Sequence, residues 1–182
     1  MVDLEKVLAR LSNQNTPFAQ WLKSIQQLED YTMLEAPYEP EAVAEILHDI
    51  QQELGIKAWP NEFQLMVLSF DGGYLFSDTV YSIYNPDDPD YDLCQKNKEL
   101  WESGMLPADW VAFAETNYGA YICFPRQGGS RVIFWDPTEE GGSEINSFDS
   151  FRNWMDFCLW QANELKKDDA LLNYRQMEDE DG

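Results

Sequence analysis

The sequence predicts an α+β fold, a twisted antiparallel sheet with helices packed on it and a helical N-terminal extension. Three observations lead there. Apolar residues recur at helical spacing through much of the first 70 residues and again from Phe148 onward. Between these stretches lie aromatic and β-branched runs at 74–84, 110–116, 120–125 and 131–137, the last three joined by short glycine-bearing segments. Strands that follow strands, rather than alternating with helices, argue for hairpins and against a parallel βαβ sheet.

Taken in order, Leu4, Val7, Leu8 and Leu11 fall on one helical face before "SNQNTP" interrupts it. Phe18, Trp21, Leu22, Ile25 and Leu28 resume the pattern, with Thr16 placed as N-cap and Pro17 at the first helical position. The connector "EAPYEP" leads into a stronger helix carrying Val43, Ile46, Leu47, Ile50 and Leu54. Gly55 is placed to end it, and Ile56 to make the apolar contact that accompanies a glycine C-cap. A further helix is expected over 61–70, burying Phe63, Met66, Val67 and Phe70. Asp71-Gly72-Gly73 then lets the chain leave steeply into one strand, 74–84. These glycines follow a helix and neighbour Asp71 and Asp78, whereas a phosphate loop leads into a helix and keeps a basic residue near. The double glycine therefore reads as a bend.

"NPDDPDYD" (85–92) is a turn-rich acidic loop, followed by a helix over 92–103. Asp87, Asp88, Asp90 and Asp92 suggest calcium, but the loop lacks the glycine and final glutamate of an EF-hand and reads as a solvated turn. Runs 110–116 and 120–125 form a hairpin around Asn117-Tyr118-Gly119, and 131–137 follows a second glycine turn. "TEEGGSEIN" reads as a polar loop. Ser147 is placed to cap a closing helix whose inner face carries Phe148, Phe151, Met155, Cys158, Leu159 and Ala162, with Lys166 and Lys167 near its end. The acidic stretch "QMEDEDG" reads as a frayed tail. The expected organisation is an extension over 1–38, a domain over 39–167 and a tail over 168–182.

Composition narrows the function. Asp and Glu number 34 against 12 Lys and Arg, a formal net charge of −22. Such a surface repels phosphate backbones and anionic lipid and favours fast encounter with basic proteins. No apolar stretch is long enough to span a bilayer, and "MVDLEKVLAR" lacks the pattern of a signal peptide, so a cytoplasmic location is expected. Cys94, Cys123 and Cys158 are isolated and odd in number, which suits buried thiols better than a disulfide framework or a zinc site. The single histidine, His48, lies mid-helix beside Asp49 and Gln51, as a surface residue would. No Gly-x-Ser-x-Gly elbow occurs, and among so many carboxylates no pair is distinguished. Catalytic, cofactor and metal residues are therefore expected to be none. Large rings are abundant instead: Trp101, Trp110, Tyr118, Tyr121, Phe124, Trp135, Trp154 and Trp160 crowd the second half; core packing accounts for most of them, but seven tryptophans in all exceed what a small core usually needs, and exposed rings anchor protein interfaces.

The order of these pieces resembles a known family. A helix ending in Leu54-Gly55, then "WPNEFQLMVLSFDGGYLFSDTVYSI", "VAFAETNYGAYICFP", "RVIFWDP" and "INSFDSFRNWMDFCL", is similar to the SMI1/KNR4-like domains of the SUKH superfamily over roughly residues 41–162. The chain departs from the pattern in having Asp71 where Asn is frequent and Trp59 where Leu is frequent. The resemblance implies an α+β fold without catalysis. It also implies, for bacterial members, immunity proteins that neutralise toxins used between bacteria, and for fungal members regulators or scaffolds. The expectation is a protein that blocks a basic toxin domain, for example a nuclease, by occlusion; the alternative is a scaffold with several partners. Asp87, Asp88, Asp90, Tyr118, Tyr121 and Trp135 are the candidate partner-binding residues, with no nucleic acid or membrane involved.

Overall fold

The computed structural model describes residues 16–28, 32–138 and 141–180, beyond Lys167 by backbone alone. The stretch carrying Leu4, Val7, Leu8 and Leu11 lies outside the described residues. The first described helix, α1 (Pro17–Gln26), begins as its sequence dictates, with Thr16 Oγ1 accepting from the Ala19 amide at 3.1 Å and Pro17 in the first turn. It buries Phe18, Trp21 and Ile25, and Trp21 Nε1 donates to the Met155 carbonyl at 2.9 Å. Helix α2 (Pro40–Leu54) buries Val43, Leu47, Ile50 and Leu54. Gly55 closes it at φ 65°, a left-handed position, and Ile56 is buried just beyond.

Helix α3 (Asn61–Val67) is shorter than the expected 61–70. Its last turns tighten, Ser69 and Phe70 both donating to the Met66 carbonyl, so that the Asp71 amide can meet the Glu35 carbonyl at 3.1 Å. After a single 3-10 turn (Pro89–Tyr91), α4 (Leu93–Glu102) starts at Asp92, whose Oδ1 accepts from the Gln95 amide at 2.9 Å. The closing helix, α5 (Phe151–Glu180), is capped by Ser150, whose Oγ accepts from the Asn153 amide, and not by Ser147, which lies in a strand. Its backbone continues through the stretch read as a frayed tail as far as Glu180, which leaves Lys166 and Lys167 inside the helix.

The strands β1 (Thr32–Leu34), β2 (Gly73–Leu75), β3 (Asp78–Val80), β4 (Trp110–Glu115), β5 (Tyr121–Pro125), β6 (Val132–Asp136) and β7 (Ser143–Phe148) form one antiparallel sheet in chain order. The run 74–84 is a tight hairpin instead of one strand, because Phe76 takes φ 61° and reverses the chain. Both edge strands differ from expectation. β1 lies just ahead of the proline-rich connector, and β7 occupies the segment read as a polar loop; neither carries an apolar alternation, since β7 is largely exposed on both faces.

Register sorts the sheet into two faces. Gly73, Val80, Ala114, Ile122 and Phe134 lie opposite one another across β2–β6, and apart from Gly73 all are buried. On this side Phe113 and Phe124 stack, Phe113 meets Phe151 and Trp154 of α5, and Phe63 of α3 joins Trp59 and Phe124. These rings are the centre of the core and explain much of the aromatic content of the second half. The row on the other face runs Met33, Tyr74, Thr79, Glu115, Tyr121, Trp135, Glu144 through all seven strands. Helix α4 covers part of this face. Its Asn97, fully buried, donates to the Leu93 and Ala112 carbonyls and accepts from the Ala112 amide, each at 2.8 Å.

Candidate functional site

The bend at Asp71-Gly72-Gly73 organises the surface next to it. Asp71 is buried, and its carboxylate accepts from Ser82 Oγ at 2.6 Å and from the Ile83 amide at 2.8 Å. Burial raises its pKa, with those two hydrogen bonds pulling the other way. Both glycines are required by close approach as well as by positive φ. A Cβ on Gly73 would lie 2.2 Å from the Met33 carbonyl oxygen, and one on Gly72 2.8 Å from the Ser82 nitrogen. The motif thus seats β1 on one side and holds the segment after β3 on the other, and its polar groups are consumed in doing so.

The segment beyond Ser82 is fixed at a second point. Asp92 Oδ2 accepts from the Asn85 amide at 2.9 Å, while the Ser82 amide and carbonyl pair with Tyr91 and Leu93. What this framework presents is rich in tyrosine and carboxylate. Tyr84 is 50% exposed, and its carbonyl accepts from the Tyr38 hydroxyl at 2.9 Å, the two rings meeting edge to face. Tyr74 and Tyr91 are also exposed, and their hydroxyls share a hydrogen bond that raises the pKa of Tyr91. Asp87, Asp88 and Asp90 are exposed around them.

Two grooves flank Asn85. The larger, about 470 Å³, runs between α2 and residues 83–95, with Ile46, Ile50, Ile83 and Pro86 among its apolar lining and Asp49 and Glu53 on its α2 side. The smaller, about 180 Å³, lies between Glu35, Tyr74 and Tyr91. Glu53 accepts from the Cys94 thiol at 3.3 Å and pairs with the Lys98 ammonium; the hydrogen bond from Lys98 leads in holding its carboxyl below the usual range. Cys94 itself, mostly desolvated, is pushed up to about 12.

The residues singled out in the sequence separate into two groups. Asp87, Asp88 and Asp90 are exposed in the loop between Tyr84 and Tyr91, beside the grooves but lining neither. Tyr118 is 62% exposed at the β4–β5 turn, a surface ring. Tyr121 and Trp135 face each other across β5 and β6, Tyr121 only 7% exposed and Trp135 half-buried with its Nε1 donating to the Met105 carbonyl at 2.8 Å. Tyr38, Tyr74, Tyr84, Tyr91, Asp49 and Glu53 were not singled out. The signal is present for two of them, because Tyr84 directly precedes the acidic loop and Tyr91 lies within it. Asp49 and Glu53 sit one turn apart on the flank of the apolar stripe of α2.

Among the described residues there is no group of three or more His, Cys, Asp or Glu placed to hold a metal ion, and no helix long and apolar enough to cross a membrane. His48 is half-buried on α2, and its Nδ1 has no hydrogen-bond partner. All three cysteines are free and buried. Among curated proteins none matches the chain. The model of the SMI1 / KNR4 family (SUKH-1) does match, over residues 42–156, a span that takes in α2, β2–β7 and the start of α5 and contains the double-glycine bend, the larger groove and the acidic loop. That span is well over half of the sequence, and the chain belongs to the SMI1/KNR4 (SUKH-1) family, a family of generally non-catalytic immunity proteins for polymorphic toxins.

Proposed function

We propose that this protein is a cytoplasmic immunity protein that binds a cognate toxin domain one to one and blocks it by occlusion, the bound face of the toxin being basic. The observation that carries this reading is the surface around Asn85, where exposed tyrosines and carboxylates stand on a backbone fastened by Asp71 and Asp92. Tyrosine supplies contact area at low entropic cost, and a fastened backbone leaves little to be ordered on binding. The net charge of −22 adds long-range attraction for a cationic partner, which speeds association by about 10–10³-fold at low salt. Family membership supports the same role. A nuclease is one toxin class with a basic face.

Capture tests this directly. The immobilised protein is exposed to lysate of its source organism at low and high salt, and what is retained is identified and co-expressed for growth rescue. The expected result is one dominant partner with a basic toxin-like domain, slower to associate in high salt, whose toxicity the protein abolishes. Modest binding to several housekeeping proteins would replace the toxin with a scaffold role.

A further inference from the structure

We propose that the larger groove, between α2 and residues 83–95, receives an arginine side chain carried on a basic segment of the partner. The inference takes the partner from the toxin-binding reading above, while the groove chemistry stands on its own. An arginine needs apolar contact along its methylene stem, carboxylate oxygens around its guanidinium and, where available, a ring to stack on. The groove offers all three. Ile46, Ile50, Ile83 and Pro86 supply the apolar lining, Asp49 and Glu53 the carboxylates, and Tyr84 an exposed ring beside them. Its volume of about 470 Å³ falls within the range of about 300–1,000 Å³ that ligand sites occupy, enough for the side chain and its flanking backbone.

Glu53 already accepts a cation within the protein. Lys98, reaching over from α4, places its ammonium on Glu53, which also takes the Cys94 thiol hydrogen bond. Asp49 is exposed on the same side of α2, one turn earlier. An incoming guanidinium therefore meets Asp49 directly and competes with Lys98 for Glu53. An acidic or phosphate-bearing occupant is opposed by Asp49, Glu53 and the aspartates of the adjoining loop. The walls are held in place without a partner, because Ile83 is fixed through Asp71, and Asn85 and Gln95 through Asp92.

The groove is tested on the full chain by titrating ¹⁵N-labelled protein with acetyl-Gly-Arg-Gly-amide at low salt. Shifts are expected to concentrate at the amides of residues 46–53 and 83–95. Asp49→Asn should weaken the peptide about threefold or more, and Lys98→Gln, by freeing Glu53, should tighten it by a similar factor. Arg152→Gln makes the same charge change on α5 and should leave the affinity unaltered. Shifts spread over the whole acidic surface, or an effect of R152Q equal to that of K98Q, overturn the groove. The two proposals fail separately. Peptide binding without any captured toxin leaves the arginine site and removes the immunity role. Undiminished growth rescue by the Asp49→Asn/Tyr84→Ala double variant removes the groove and leaves immunity.

Discussion

Ser82 donates a 2.6 Å hydrogen bond to the Asp71 carboxylate, joining the end of the α3 bend to the segment that follows β3. The Ile83 amide donates to the other oxygen at 2.8 Å, so one buried side chain sets the course of the backbone that lines both grooves. Asp71→Ala leaves the Ile83 amide and the Ser82 hydroxyl with a lost partner and should cost about 2–3 kcal/mol in denaturant unfolding. Asp71→Asn should cost less than about 1 kcal/mol. Its oxygen can accept from Ile83, and its amide can donate to Ser82 Oγ once that hydroxyl turns its single proton to the Tyr84 carbonyl, 3.0 Å away. Equal losses for the two variants would show that the charge, rather than the hydrogen-bond geometry, holds the bend.

Gly73 tests how β1 is attached. Gly73→Ala forces the β1 backbone away from a Cβ that would otherwise lie 2.2 Å from the Met33 oxygen, and it strains φ 107° as well. A loss of about 3 kcal/mol or more is expected, with early hydrogen exchange at the β1 amides. Gly119→Ala, also at positive φ but with nothing within 4 Å, should cost about 1 kcal/mol.

Asp78 gives a pH dependence whose sign is fixed by its surroundings. It is buried at the start of β3 with a weak hydrogen bond from Ser77 Oγ at 3.4 Å, and desolvation pushes its carboxyl up to about 6. A folded-state value above the unfolded one, near 3.8, means that the folded chain holds this proton more tightly. The resulting stabilisation is complete below about pH 3.8 and is lost as pH rises through about 6. Asp78→Asn removes the cost of burying the ionised form. It should therefore be more stable than the natural protein at pH 7, by about 1–3 kcal/mol, with the difference vanishing near pH 3.5. A variant less stable at pH 7 than at pH 3.5, relative to the natural protein, would contradict this.

Asn97 ties α4 to the sheet by imitating a strand backbone, with two carbonyls and one amide satisfied at 2.8 Å each. Asn97→Ala leaves the Ala112 amide and carbonyl unpaired in the core and should cost about 3 kcal/mol. Because α4 carries Cys94 and Gln95 into the larger groove, binding of the arginine peptide should weaken in the same variant even where it remains folded. Asn97→Asp keeps one acceptor but buries a charge, and it should be no better.

Much of this architecture is legible in the sequence because it rests on local rules. Thr16-Pro17 caps α1, Gly55 ends α2, and Asn117-Tyr118-Gly119 turns between β4 and β5, each through backbone sterics that short stretches reveal. Features that depend on a distant partner are not. β1 is a strand because Gly73 admits it, and β7 because β6 needs a neighbour; neither has a periodicity of its own. Phe76 at positive φ hides the reversal inside an aromatic run that otherwise reads as one strand. The same limit applies to the site. Tyr84 and Tyr91 belong to one short stretch of sequence with the acidic loop, whereas Asp49 and Glu53 reach it only once α2 is packed beside α4.

The bond from Trp21 to Met155 spans 134 positions, while every strand pairs with its neighbour in chain order. For a polypeptide leaving the ribosome N-terminus first, the sheet can zip up hairpin by hairpin as each strand emerges. The fastening of α1 to α5 cannot close until Met155 has emerged, 134 positions after Trp21. Until then the ring-rich side of the sheet has no α5 over it, and that stage of synthesis is when the nascent chain most needs shielding from aggregation.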